Sequence, residues 1–334
     1  MNLSDTIALL GRLTAAHGVS GDEGEVRDLI ASLAEPYCDA LRQDVMGNLI
    51  AHKRGDGPKL MLAAHMDSIG CIATFVEEKG FVRFGRLGGL DVPELLATPV
   101  RFKNGVRGVI RADEHTDHKD LNLDKLFIDI GAENEEEAKA QVCPGDTAVF
   151  DTPVQGVGRR ILSPYLDNRI ACVILLMVLE QLRDRSNDLY FVFTVQEEVG
   201  LRGARTAAYA IDPDYAIAVD VTDSDDTPGA KHDGTAVLGK GAAIKVMDGS
   251  VLCHPSMVSK LRALAEEKGI QAQTDIIRSG GTDAGAIHQI RGGVVTGGVS
   301  VPCRYIHSPQ EMVDTVDVEA CAALIAAFVQ SKLD

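Results

Sequence analysis

The sequence predicts an α/β fold: a mixed, mainly parallel sheet covered by helices on both faces, with a small β-rich domain inserted into it. Three features carry this reading. Apolar runs such as KLMLAAH, Lys59 to His65, lack polar alternation, as strands buried on both faces do. From residue 160 onward strand-like and helix-like stretches alternate, which implies parallel crossovers. Between residues 71 and 159 the texture changes to short Val-, Phe- and Gly-rich stretches broken by turn residues. The domains expected are therefore 1–70 joined with 160–334, and an insert over 71–159.

The elements follow in order. Leu3, Ile7, Leu10 and Leu13 recur at helical spacing. Ser20, with Glu23 three positions on, reads as a capping box opening a second helix through Val26, Leu29, Ile30 and Leu33. The strand 59–65 ends on His65. Within the insert GFVRFGR, VRFKNGVRGVIRA, KLFIDIG and TAVFDTPVQGVG read as strands, and AENEEEAKAQV as a helical segment. Beyond it come a helix over 167–183, the strand LYFVFTVQ, a helix over 201–209, the strand YAIAVDV, a helix over 256–268, the strand VVTGGVSV and a last helix through Leu324, Ile325 and Phe328.

Composition narrows the function classes. With 334 residues, 45% of them hydrophobic, the chain can form a core without disulfide or metal staples. Its 33 Lys and Arg against 49 Asp and Glu give a net charge of −16, which repels phosphate backbones and anionic lipid. Nucleic acid and membrane are thereby disfavoured as partners. The longest apolar run, Ile170 to Leu179, falls short of the roughly 20 residues that cross a bilayer. Seven scattered cysteines and an N-terminus without a signal-peptide pattern point to a reducing, cytoplasmic setting.

Five stretches place metal-ligand side chains at or just past predicted strand ends or at a helix start, where open α/β sheets hold their sites. They are AAHMD with His65 and Asp67, SPYLDNR with Asp167, VQEEVG with Glu197 and Glu198, AVDVT with Asp220, and RYIHSP with His307. Singly, each has a structural explanation: a hydrogen-bonded His, a helix-capping Asp167, or carboxylates favoured at a helix start. Jointly, two imidazoles and several carboxylates form a nitrogen and oxygen ligand set suited to two divalent ions, zinc or cobalt ahead of manganese. Two ions about 3.5–4 Å apart need a shared carboxylate. The arithmetic fits His65, Asp167 and Asp220 on one ion and Asp167, Glu198 and His307 on the other. In the doublet, consecutive extended residues project oppositely, so one carboxylate can bind while the other moves protons. Asp67 returns to the side of His65, where it can accept the imidazole's second N–H or form a turn before Ser68.

These motifs resemble the tetrahedral dinuclear metallo-aminopeptidases, a family with glutamyl, leucyl and lysyl members. The resemblance runs through GVSGDEGEVR, AAHMDSIG, GRLGGLD, LFIDIGAENEEEA, SPYLDNR, VQEEVGLRGA, AVDVT, GGTDAGAIH and RYIHSPQEMV. It implies an aminopeptidase acting on peptides with a free N-terminus, the same metal set, Glu197 as general acid and base, and Asp67 as support behind the ligands. It also implies a PDZ-like insert used in dimerisation and a twelve-subunit tetrahedral shell. Ser68 and Cys303 depart from the usual pattern without removing a ligand.

Three features stay open at this stage. Arg278 can present positive charge to an acidic N-terminal side chain or pair with a structural carboxylate. Gly280 and Gly281, in GGTDAG, let backbone approach a substrate but lack phosphate-loop spacing. His115 and His118 lie in an Asp- and His-rich loop that reads as a third metal site or a solvated loop. Two rival functions are a glycoside hydrolase using a carboxylate pair, which leaves both histidines idle in a chain with no Trp, and a non-catalytic assembly scaffold.

Overall fold

The computed structural model describes residues 3–183, 186–230 and 234–333. The chain opens with α1 (Leu3–Ala15), α2 (Gly24–Ala34), β1 (Ala40–Gln43), β2 (Leu49–Lys53) and β3 (Lys59–His65). Next come β4 (Gly70–Val76), β5 (Val82–Leu87), β6 (Pro99–Phe102), β7 (Arg107–Ala112), β8 (Leu126–Asp129), α3 (Glu135–Lys139) and β9 (Thr147–Phe150). The second half holds β10 (Gln155–Val157), β11 (Arg160–Ser163), α4 (Leu166–Gln181), β12 (Asp188–Thr194), α5 (Arg202–Ile211) and β13 (Tyr215–Asp223). It ends with β14 (Ala242–Met247), α6 (Pro255–Lys268), β15 (Ala272–Ile276), α7 (Asp283–Ile287), β16 (Val295–Arg304), β17 (Glu311–Asp314) and α8 (Thr315–Val329).

Eleven strands form one sheet in the order β1-β2-β12-β3-β13-β16-β17-β11-β10, with β14 beside β16 and β15 beside β14. Only β12/β3, β3/β13, β13/β16 and β14/β15 are parallel. The sheet is therefore mixed, and the mainly parallel expectation holds for its centre alone. The reason is local: β1–β2, β10–β11 and β16–β17 are consecutive strands joined by short turns, which permit only antiparallel pairing.

Period-two alternation divides the core between the two faces. Leu60, Leu62 and Ala64 of β3 and Leu189, Phe191 and Phe193 of β12 face α4 and its neighbours. Met61, Ala63 and Val192 face α5 and α7. Residues 166–179 of α4 are all buried, because this helix lies against the sheet on one side and α1, α2 and α8 on the others. On the opposite face Ala204, Ala207 and Ala208 give α5 a narrow small-residue stripe that seats it close to the strands.

The β-rich segment closes into a six-stranded antiparallel barrel, β4-β5-β8-β7-β6-β9, around its own core of Val82, Val100, Phe102, Ile110, Ile128 and Phe150. Its first strand begins at Gly70, and β10, at 155–157, already pairs at the edge of the large sheet. The helical segment AENEEEAKAQV shrinks to the five residues of α3, capped by Asn134, whose side chain accepts from Glu137 N. No helix among the described residues is long and apolar enough to cross a membrane.

Phe191 is fully buried at the sheet–α4 interface. Phe191→Ala should cost about 3–5 kcal/mol, read from denaturant midpoints; a loss below about 1 kcal/mol would show that this interface is not close-packed.

Candidate metal centre

The three central parallel strands bring their carboxyl ends together. His65 closes β3, with Thr194 opposite it at the end of β12. The chain after β12 turns and presents Glu197 and Glu198, while β13 supplies Asp220. Asp167 stands in the first turn of α4 with non-helical torsions, after a Tyr165 in the left-handed region, and the Asp167–Asn168 peptide is cis. His307 occupies the turn between β16 and β17.

These side chains converge on one point. His65 Nε2 lies 3.0 Å from Asp167 Oδ1, 3.6 Å from Asp220 Oδ1 and 3.8 Å from Glu197 Oε2. His307 Nε2 lies 3.4 Å from Asp167 Oδ2 and 3.1 Å from Glu198 Oε2. Asp167 thus offers one oxygen to each imidazole. Two overlapping groups have the compactness to hold a cation: His65, Asp167 and Glu198, and His65, Glu197 and Asp220. Asp167 Oδ1 and Glu198 Oε1 are buried without hydrogen-bond geometry to any partner, the expected state of atoms meant for an ion. The donor set contains no thiolate, so it suits zinc, cobalt or manganese in an open site.

The electrostatics agree. Burial, reinforced by Asp167, pushes Glu198 up to about 7. Burial also carries Glu197 well above the usual carboxylate range, with Asp220, Asp283 and Glu198 adding to it. For His65 burial opposes protonation, yet Glu197, Asp167 and Asp220 outweigh it and hold the imidazole well above its ordinary value. His307, likewise opposed by burial, is carried up to about 12 by Asp167 and Glu198. Negative charge here exceeds what two imidazoles can balance.

Several expectations change in detail. Glu197 and Glu198 are not extended: Gln196 has φ 53°, and Glu197 O accepts from Gly200 N and Leu201 N. Both carboxylates consequently face the same cluster. The turn is held by Asp67, whose Oδ1 accepts from Glu197 N at 3.0 Å and whose Oδ2 accepts from Glu198 N at 3.3 Å. His65 Nδ1 meets the Asp67 backbone carbonyl at 3.1 Å, with the carboxylate at 3.6 Å. Asp67 therefore steadies the His65 imidazole mainly through its main chain and the doublet through its side chain. Nor do Ser20 and Glu23 form a capping box. Ser20 Oγ donates to Asp67 Oδ2 at 2.6 Å, and Glu23 Oε1 accepts from Gly21 N and Gln196 N. The helix start serves the site instead of itself.

Glu311 is a positioning residue that the sequence reading missed. Its two oxygens accept from Asp167 N at 2.8 Å and His307 N at 3.0 Å, tying together the backbones of the two residues that face each other across the cluster. The available signal was an acid opening a four-residue, largely buried strand, EMVD. Asp283, also missed, is buried with Oδ2 accepting from Thr194 Oγ1 at 2.5 Å.

The barrel contributes a wall. A Cβ on Gly89 would come within 2.6 Å of His307 Nδ1, and one on Gly88, at φ 77°, within 3.1 Å of Glu198 Oε2. Only glycines let the GRLGGLD loop approach this closely. Gly280 and Gly281 line the cavity of about 470 Å³ that opens on the cluster, with Gly280 at φ 76°. Arg278 is exposed and is not among the lining residues. His115 and His118 are exposed on the barrel and join none of the metal-competent groups among the described residues.

A family profile described as M42 glutamyl aminopeptidase matches residues 47–324. The chain belongs to this family. This M42 aminopeptidase is metal-dependent and a hydrolase of peptide bonds. It is 33% identical to the lysyl aminopeptidase of Pyrococcus furiosus over 96% of each chain. Among solved structures it is similar to an aminopeptidase from the archaeon Desulfurococcus kamchatkensis, with 42% identity, a TM-score of 0.95 and coverage of 98% of this chain and 95% of that one. It is also similar to the TET1 peptidase of Pyrococcus horikoshii, with 33% identity, a TM-score of 0.88 and coverage of 97% and 98%. That peptidase is described as assembling into a tetrahedron or a large octahedral shell.

Ser20→Ala leaves a buried carboxylate short of a donor. It should lower stability by about 1.5–3 kcal/mol in chemical denaturation of the M42 aminopeptidase; a change below about 0.5 kcal/mol would mean that the hydroxyl does not hold Asp67.

Proposed function

We propose that the cluster holds two divalent cations, zinc or cobalt ahead of manganese, and removes N-terminal residues from peptides. His65, Asp167 and Asp220 would surround one ion, and Asp167, Glu198 and His307 the other. The observation that carries this reading is the two-sided Asp167, with one oxygen 3.0 Å from His65 Nε2 and the other 3.4 Å from His307 Nε2. Bound there, such cations supply Lewis acidity that polarises a carbonyl and lowers the pKa of water.

Glu197 is assigned the proton transfers. Its backbone is fixed by Asp67, and its carboxylate is buried beside the ligand atoms, with Oε2 3.8 Å from His65 Nε2. In peptide hydrolysis Glu197 accepts the proton of the attacking water and returns it to the departing amine. The five other side chains serve as ligands, and Asp67 keeps His65 and the doublet in place. Neither rival accounts for His65 and His307, whose positions make sense around cations.

The same reading extends to assembly and setting. The insert over 71–159 is taken as a PDZ-like dimerisation domain and the assembly as a tetrahedral dodecamer, supported by the shell described for the similar Pyrococcus horikoshii peptidase. The scattered free cysteines are in keeping with a cytoplasmic enzyme.

Glu197→Gln should retain the metal content of the wild type and lose about 10²-fold to 10⁴-fold in turnover of aminoacyl-arylamides. Near-normal turnover by the fully metallated variant would remove Glu197 from the mechanism. Adding zinc, cobalt or manganese to chelator-stripped protein should raise its stability by about 4 kcal/mol at a thousandfold excess over the dissociation constant. Thermal unfolding that ignores all three ions would overturn the metal site itself.

A further inference from the structure

Among the described residues the cavity carries one charged side chain beyond the cluster of imidazoles and carboxylates, and it is an acid. Asp223, three residues beyond Asp220 on β13, lines the cavity and keeps solvent exposure there. It lies near enough to Asp167 and His307 for their charges to act on it. Among the described residues no lysine or arginine is part of the lining. Two basic groups near it are already engaged: Lys245 is buried 2.7 Å from Asp275, and Arg304 clamps both oxygens of Asp226 at 2.6 and 2.8 Å; Arg278 is exposed between Ile277 and Ser279 and is not part of the lining.

The rest of the wall points the same way. Leu201, Val221, Ile277 and Ile306 provide aliphatic surface. Of the three cavity hydroxyls, those of Thr222 and Thr282 are spent inward, donating to Asp275 at 2.9 Å and Asp248 at 3.2 Å, which leaves Ser279 to face the cavity. Strand rise puts Asp223 about 10 Å along β13 from Asp220, a span that a four-carbon stem with a terminal cation and a carboxylate can bridge together. Two divalent ions would offset the four carboxylates of the cluster, which leaves Asp223 as the uncompensated charge facing a substrate.

We propose that Asp223 selects substrates whose N-terminal residue is a cation on an aliphatic stem, lysine or arginine. This rests on the aminopeptidase reading and assigns its first subsite. Norleucine, which has the lysine stem without the ammonium, is the control.

Metal-loaded wild type should cleave Lys- and Arg-arylamides with kcat/KM at least tenfold above norleucine-arylamide and further above the Glu and Asp substrates. Asp223→Asn should reduce the Lys-to-norleucine ratio at least tenfold, mainly through KM, and Asp223→Lys should turn the preference toward Glu. Calorimetric titration with L-lysine, L-norleucine and L-glutamate provides a readout independent of turnover, in which the lysine advantage vanishes in Asp223→Asn. Turnover of norleucine equal to that of lysine by the wild type, or an unchanged ratio in Asp223→Asn, would overturn the proposal while leaving the aminopeptidase reading intact. Failure to turn over any substrate would strike that reading instead, and the titrations would still decide whether Asp223 binds the cation.

Discussion

Concentrated negative charge, buried where three parallel strands end, is the constraint around which this molecule is organised. Carboxylates brought this close in a poorly solvated space cannot all remain ionised without cations. The protein meets part of that demand with its own main chain. Asp67 accepts from two successive amides of the doublet, Glu311 from Asp167 and His307, and Asp220 from Val221 N. What these amides leave uncovered, including Asp167 Oδ1 and Glu198 Oε1, sits within the cluster. Backbone donors thus satisfy Asp67, Glu311 and one oxygen of Asp220, while Asp167 Oδ1 and Glu198 Oε1 keep no such donor.

Backbone conformation carries the cost of this arrangement. Tyr165, Gln196, Leu201, Tyr305 and His307 all adopt positive φ without being glycine, and they lie in the segments that carry Asp167, the Glu197–Glu198 doublet and His307. Such torsions persist only where surrounding contacts over-determine them. Here the determinants are visible: Tyr165 is buried with its hydroxyl bonded to Phe150 N of the barrel, and the Gln196 amide is held by Glu23. Two parts of the fold with separate cores therefore cooperate in setting one turn and one helix start.

Much of this was legible in the sequence, for definable reasons. The apolar run ending on His65 and the buried helix after Asp167 are strong local patterns, and each carries its cluster residue at a fixed position relative to an element boundary. The resemblance of SPYLDNR, VQEEVG and RYIHSP then linked segments that are remote along the chain. What escaped were features set by tertiary contacts. Ser20 and Glu23 have the spacing of a helix cap, but a buried carboxylate and a strained amide compete for them more strongly than the helix does. Glu311 looks like an ordinary strand residue until the two backbones it joins are adjacent. The antiparallel flanks of the sheet were missed because β1, β2 and β17 are only four or five residues long, too short for a periodic signal.

The glycine pair in the barrel loop has a consequence for how the molecule could be reduced. Because Gly88 and Gly89 close over Glu198 and His307, the barrel is no detachable accessory to the larger sheet. Excising it would strip one side of the His307 imidazole, which at 40% side-chain exposure is more solvent-accessible than His65, Asp167, Glu198 or Asp220. A pared-down version lacking the insert would keep every side chain of the cluster in its sequence and still lose the enclosure around His307. Architecture and chemistry in this chain cannot be separated at the domain boundary.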